Sequence, residues 1–209
     1  KDGYKNRMPE ILAKNLEQEI FTENILQEPW RVWHLLKNSD GENCFNNIKG
    51  CKFNISSQQK VYIIGDSHIG PIMFDLKNRV VKKNYQFITF ALSDCIYYPG
   101  FNLTLLKTQK VDEKCNDQYF QKLKEILLKE KNSIIIFSGR FPVYLSDYWF
   151  DNQEGGVEGD KWIKDFVSVG KYDIIESSFN NEVFELSKNN KIILVYPIPE
   201  VGTDPNKKI

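Results

Sequence analysis

Histidine is nearly absent from this chain: His34 and His68 are the two that 209 residues provide. Chemistry that needs an imidazole, as a base or as a metal ligand, has those two positions to draw on. Net charge is absent too, because 28 basic residues balance 28 acidic ones. That leaves no electrostatic case for nucleic acid or an anionic membrane surface as partner. No uninterrupted apolar run approaches the roughly 18 residues that a membrane-spanning helix needs. The sequence opens on polar Lys1-Asp2-Gly3 with no signal peptide in view, so the expectation is a soluble piece of a larger protein. There is no internal repeat and no low-complexity tract.

What is present is ordinary for a globular protein: 41% hydrophobic and 27% charged residues. The length suits one sizeable domain and would cramp a second core. The four cysteines fall into local pairs, Cys44 with Cys51 and Cys95 with Cys115, in stretches rich in Asn, Gly and Pro. Neither pair has metal-site spacing with a second pair nearby. Two short-range disulfides and an oxidising compartment are one reading; four free thiols in a reducing one are the other. The triplets Asn54-Ile55-Ser56 and Asn102-Leu103-Thr104 match the glycosylation pattern, but such triplets arise by chance in an Asn-rich chain.

Residues 8–36 have helical spacing of apolar positions up to Pro29, and 37–59 read as a loop or short hairpin. Together, 1–59 form an N-terminal segment that leads into a core over 60–209. Strands are expected over 61–64, 86–90, 133–138 and 192–196. Helices are expected after Pro71, over 117–131 and over 176–189, with a long aromatic loop at 139–160. Short apolar strands that alternate with amphipathic helices predict an α/β fold, a three-layer αβα sandwich on a parallel sheet. Ligand-binding loops then gather at the carboxyl ends of the strands. That rule lines Gly65–His68, Ser93–Gly100, 139–144 and Pro197–Gly202 along one rim.

The sharpest motif is Ile63-Ile64-Gly65-Asp66-Ser67-His68. A strand that runs straight into Gly-Asp-Ser presents the serine hydroxyl at the sheet edge. Gly65 permits a tight turn there, and the helix that follows offers amides to a developing oxyanion. Aspartate in such a turn bonds neighbouring backbone amides, which is the role expected of Asp66. His68 reads as a residue that supports the turn, because adjacent side chains point apart. His34, between Trp33 and Leu35, reads as a partly buried histidine.

These residues resemble the SGNH, or GDSL-like, hydrolases and acyltransferases, and in particular the SGNH domain fused to bacterial membrane acyltransferases that O-acetylate surface polysaccharides. The nucleophile block Gly65-Asp66-Ser67-His68 and the loop Pro197-Ile198-Pro199-Glu200 carry the resemblance most specifically. The Asp2–Pro9 segment, the Cys95…Pro99-Gly100 loop and Phe137-Ser138-Gly139-Arg140-Phe141 agree in order along the chain. The resemblance implies a flavodoxin-like sandwich and a serine nucleophile, Ser67, that forms an acyl-serine. Oxyanion donors would be the Ser67 amide, a glycine amide for which Gly100 is the candidate, and an asparagine. Arg140 stands near where the asparagine is found in other branches, and it would donate to an oxyanion or to a sugar, or else tie down the long loop. Aromatic residues at 141–162 would stack on sugars or simply pack over the rim. No cofactor and no metal are implied.

The departure lies at the C-terminus. The family's Asp-x-x-His block belongs beyond the fourth strand and a further helix, whereas Asp204-Pro205-Asn206-Lys207 has lysine where histidine is required. The expectation is a core incomplete at its C-terminal end. Three functions follow from the resemblance. The first is a periplasmic or extracellular-side domain that takes an acyl group from a membrane domain and passes it to a carbohydrate acceptor such as a polysaccharide or lipopolysaccharide. The second is a stand-alone carbohydrate esterase, and the third a non-catalytic carbohydrate-binding or docking domain. A serine without a base is a weak nucleophile, so residues 1–209 alone should hydrolyse a nitrophenyl acetate slowly or not at all. Brisk turnover that Ser67→Ala abolishes would identify His34 or His68 as the base.

Overall fold

The computed structural model describes residues 36–141, 144 and 164–196. A short strand, β1 (Cys51–Phe53), precedes β2 (Lys60–Gly65). One turn of 3-10 helix, Ser67–Ile69, leads into α1 (Gly70–Lys82), and β3 (Gln86–Ala91) follows. Then come β4 (Phe101–Leu105), β5 (Lys110–Val111), α2 (Asp117–Leu128) and β6 (Ile134–Ser138). Last are β7 (Lys164–Ser168), α3 (Ile175–Ser187) and β8 (Lys191–Val195).

The main sheet has the order β1-β3-β2-β6-β8. β2 runs parallel to β3 and β6, and β6 parallel to β8, with β1 antiparallel on the outer edge of β3. The four strands expected from sequence are therefore neighbours in one parallel sheet. Their side chains alternate between two cores, as the two-residue period of a strand requires. Tyr62, Ile64, Ile88, Phe90, Ile135 and Phe137 face the side packed by Phe120, Leu123 and Leu127 of α2 and Leu186 of α3. Val61, Ile63, Phe87 and Ile136 face the side packed by Met73 of α1, where Leu36, Cys44, Phe45 and Cys51 are also buried. This is the αβα sandwich. Pro in the first turn of α1 and Asn116, whose side chain accepts from the Tyr119 amide at 2.9 Å, start the first two helices where the sequence signals placed them.

Three features depart from the reading of sequence. A second sheet, antiparallel with the order β5-β4-β7, was not expected. Its strand β4 lies inside the stretch between β3 and α2, and β7 begins just beyond the long loop. Phe101 and Leu103 alternate with Asn102 and Thr104, which is a strand pattern, but a run of five residues pairs with a strand some sixty residues away. β1 gives the 37–59 region a place in the main sheet. β8 is an edge strand, with Leu194 49% exposed, because no further strand pairs with it among the described residues. Of the helical segment expected over 8–36, residues 8–35 lie outside the described residues and Leu36 is not in a helix.

Both expected disulfides are present, Cys44–Cys51 and Cys95–Cys115, with sequence separations of 7 and 20. The first ties the chain before β1 to that strand. The second ties the loop after β3 to the start of α2. By the chain-entropy model they contribute roughly 2 and 3 kcal/mol. Urea titrations of the Cys44→Ser/Cys51→Ser and Cys95→Ser/Cys115→Ser double variants should show losses of that size, with the larger at the second pair.

Candidate active site

The register sets the level of the rim: Gly65 pairs with Ala91 and Ser138, and Ser138 with Val195. Gly65 closes β2 in contact with its neighbour. A Cβ there would lie 1.6 Å from the Ser138 carbonyl oxygen, so only glycine permits this approach of backbones. The Leu92 amide also donates to the Gly65 carbonyl at 3.1 Å. The next residue, Asp66, is 1% exposed.

Asp66 joins two rim segments. Its Oδ1 accepts from the His68 amide at 2.8 Å, which caps the 3-10 turn, and its Oδ2 accepts from the Arg140 amide at 2.8 Å. The carboxylate thus clamps the Ser67 turn after β2 to the chain just past β6. Gly139 fits beside it: a Cβ would come within 3.2 Å of the Asp66 carboxyl and 3.0 Å of Ile96 Cδ1. The turn-bonding role expected of Asp66 extends here to a second segment, 74 residues away, that the local motif does not reveal.

Ser67 is half-buried on the turn, with its carbonyl accepting from the Gly70 amide. The His68 amide is taken by Asp66 Oδ1 and the Ile69 amide donates to the Asp66 carbonyl at 3.2 Å. Among the described residues, the Ser67 amide is the one in this turn without such a commitment. His68 presents a 40% exposed side chain, with Nδ1 held 3.4 Å from Asp66 Oδ1.

The Gly100 amide does not have the freedom that an oxyanion donor needs. It donates to Asp117 Oδ1 at 2.6 Å, and the Gly100 carbonyl accepts from Val169 at 2.9 Å. With φ at +94° and Tyr172 packed 2.9 Å from where a Cβ would stand, the glycine has a structural use where the loop enters β4. Arg140 lies on the rim next to the turn, bound through its backbone to Asp66. His34, the Pro197–Glu200 loop, and Tyr148, Trp149, Phe150 and Trp162 lie outside the described residues. Phe141 packs on Phe179, with ring centroids 5.3 Å apart, and Tyr144 stands edge-on to Phe166 at 5.4 Å. These two aromatics serve the core.

Sequence reasoning missed the loop 92–100 as a rigid wall of the site. Cys95 is bridged to Cys115. The Tyr97 ring stacks on Phe137, and its hydroxyl lies 3.5 Å from the buried Glu182, which pairs with Lys124 across α2 and α3. The Pro99 carbonyl accepts from the Ser178 hydroxyl. Burial foremost, and then the charges of Asp66 and Glu176, push the Tyr98 phenol far above its ordinary value. Burial and Asp66 do the same for Tyr144, against a lowering by Arg140. Both phenols therefore stay protonated at neutral pH. The signal in sequence was the dense aromatic run Tyr97-Tyr98-Pro99-Gly100-Phe101, which reads locally as any loop.

Among the described residues there is no cluster of His, Cys, Asp and Glu that would hold a metal ion, and no helix long and apolar enough to cross a membrane.

Gly65→Ala should destabilise by more than about 3 kcal/mol, at the upper end of overpacking, because backbone and not a side-chain tip blocks the new methyl. Asp66→Ala should cost about as much, since two charge-assisted bonds are worth roughly 1.5–3 kcal/mol each. Urea titration measures both. A Gly65→Ala protein as stable as the parent would contradict the packing described.

Comparison with known families gives one result. A family model described as "SGNH domain (fused to AT3 domains)" matches residues 36–208. No curated protein and no solved structure matches the chain.

Proposed function

The chain belongs to the family of SGNH domains fused to AT3 domains, and from that premise we propose that it is the extracytoplasmic domain of an O-acyltransferase. In this reading Ser67 accepts an acyl group that the AT3 membrane domain delivers, and passes it to a hydroxyl of a cell-envelope polysaccharide or lipopolysaccharide. The observation that carries the reading is the nucleophile turn. Ser67 stands at the carboxyl end of a central parallel strand, and the buried Asp66 carboxylate fixes the next amide, of His68, and that of Arg140 on the neighbouring segment. The two disulfides support placement on the oxidising side of a membrane.

The chemistry has two halves. Ser67 Oγ attacks the carbonyl carbon of the incoming acyl donor and its proton passes to a base; the donor's leaving group departs, and the acyl-serine remains. The base returns that proton to the departing group; the acceptor sugar hydroxyl then attacks the same carbonyl, gives its proton to the base, and Ser67 Oγ leaves with the proton that the base hands on. In each half the tetrahedral oxygen carries negative charge and needs donors that are already in place. The Ser67 amide is one. With the Gly100 amide bonded to Asp117, Arg140 is the remaining expected donor on the rim, and its guanidinium stays charged at any relevant pH. The family's base is a histidine in an Asp-x-x-His block, and none occurs in these 209 residues.

The test uses the protein joined to its AT3 domain in membranes, with labelled acyl donor. Mass spectrometry should find the acyl group on Ser67. Ser67→Ala should remove that adduct and lower sugar acylation by on the order of 10⁴-fold or more. Undiminished acylation of sugar by Ser67→Ala would overturn the assignment.

A further inference from the structure

The rim holds a cavity that the chemistry at Ser67 does not use. Its volume is about 370 Å³, inside the range of small-ligand sites. One wall is residues 92–95, which continue directly from β3; the other is residues 110–115, from β5 to the approach of α2. β3 is the hydrogen-bonded neighbour of β2, and the Leu92 amide donates to the carbonyl of Gly65, two residues before Ser67, at 3.1 Å. The cavity therefore adjoins the strand ends where ligands of parallel sheets gather. A roomier hollow of about 600 Å³, around Ser133 and Lys191, lies at the opposite end of the sheet, where β6 and β8 begin.

Both walls are fixed by contacts of their own. The Cys95–Cys115 bridge joins them. On the first, Asn46 Oδ1 accepts from the Ser93 amide at 2.6 Å; on the second, Asp112 Oδ1 accepts from the Lys114 and Cys115 amides at 2.9 and 3.0 Å. Other polar groups of the lining are unspent. Among the described residues, the Asp94 carboxylate, the Lys114 ammonium and Asn46 Nδ2 make no hydrogen bond or ion pair. Lys110 and Glu113 meet each other at 3.6 Å, both largely exposed. Leu92 and Val111 add apolar surface.

That composition suits a sugar. A carboxylate only accepts hydrogen bonds, and an ammonium or an amide NH₂ donates them, whereas each sugar hydroxyl does both. Two lysines against three carboxylates nearly balance, which disfavours a strongly charged ligand. The apolar side chains offer contact to the C–H faces of a ring. We propose that this cavity is an acceptor subsite: it holds a neutral sugar unit of the envelope polysaccharide through Asn46, Asp94 and Lys114, beside the unit that Ser67 acylates. The proposal rests on the reading of Ser67 as the acyl carrier, and it adds the place where the acceptor lies.

Asp94→Asn and Lys114→Met test it. Asp94 has a left-handed φ of +53°, which asparagine tolerates as readily, so the first variant keeps the backbone. Lys114 is exposed, so the second leaves the core untouched. The probe is the envelope polysaccharide of the source cell, stripped of its esters by alkali and cut to short fragments by mild acid. In the protein joined to its AT3 domain, each variant should raise KM for these fragments about 10-fold, with kcat within about 2-fold of the parent. In NMR titrations of the 209-residue chain, the fragments should shift the Ser93, Asp94 and Lys114 amides and leave those of Ser133 and Lys191 in place. Unaltered KM in both variants, a fall in kcat without a rise in KM, or no shift at the three amides would each overturn the proposal. If the parent protein carries no acyl group on Ser67, the nucleophile reading fails by itself, and the titration still decides whether the cavity holds sugar.

Discussion

Asp66 gives a carboxylate almost no contact with water and asks two backbone amides to replace it. Burying that charge costs several kcal/mol, and the two bonds at 2.8 Å return an amount of the same order. Removing the carboxylate would leave both amides unmatched, and the arrangement also sets geometry. One oxygen fixes the turn that presents Ser67; the other fixes the chain past β6, where Gly139 and Arg140 lie. Gly65 and Gly139 leave space for this: a side chain at the first would strike Ser138, and one at the second would press on the carboxyl of Asp66. The Ser67 turn and the third rim segment are thereby a single unit.

A second group of contacts holds the wall beside that unit. The loop after β3 has no regular structure to stiffen it, and it is fastened at Cys95 by a disulfide and at Tyr97, Pro99 and Gly100 by hydrogen bonds. Glu182 is central here. It is 1% exposed, pairs with Lys124, and so links α2, α3 and the loop in one buried polar contact. The antiparallel sheet β5-β4-β7 continues the same wall, with Phe101, Leu103 and Phe166 inserted into the core that α2 and α3 cover. A site for acyl transfer needs this rigidity, because a displacement of about 1 Å in a catalytic group can cost on the order of 10²-fold in rate.

The consequence for chemistry is a redistribution of the expected donors. Gly100 was the sequence candidate for the second oxyanion amide, and its N–H is spent on Asp117 at the start of α2. Within the turn itself, His68 and Ile69 donate to Asp66, which leaves the Ser67 amide. In the proposed reading, Arg140 on the neighbouring segment is then the candidate for the second donor, its backbone amide bonded to Asp66.

The sequence by itself determined the parallel sheet, its helices and the place of Ser67, because each of these is a local pattern. Four apolar runs of strand length, helical periods between them, and a glycine at the end of the first run are visible within windows of ten or fifteen residues. The cysteine pairs were legible for the same reason, being 7 and 20 residues apart. Tertiary structure alone decided whatever joins distant segments. Asp66 meets Arg140 across 74 positions, β4 meets β7 across some sixty, and Ser178 reaches Pro99 across 79. Residue type and spacing do not encode such pairings, since a buried carboxylate can find its donors anywhere that the folded chain brings an amide. Gly100 is an example: the resemblance offered its amide as an oxyanion candidate, and in the fold that amide donates to Asp117, 17 positions away.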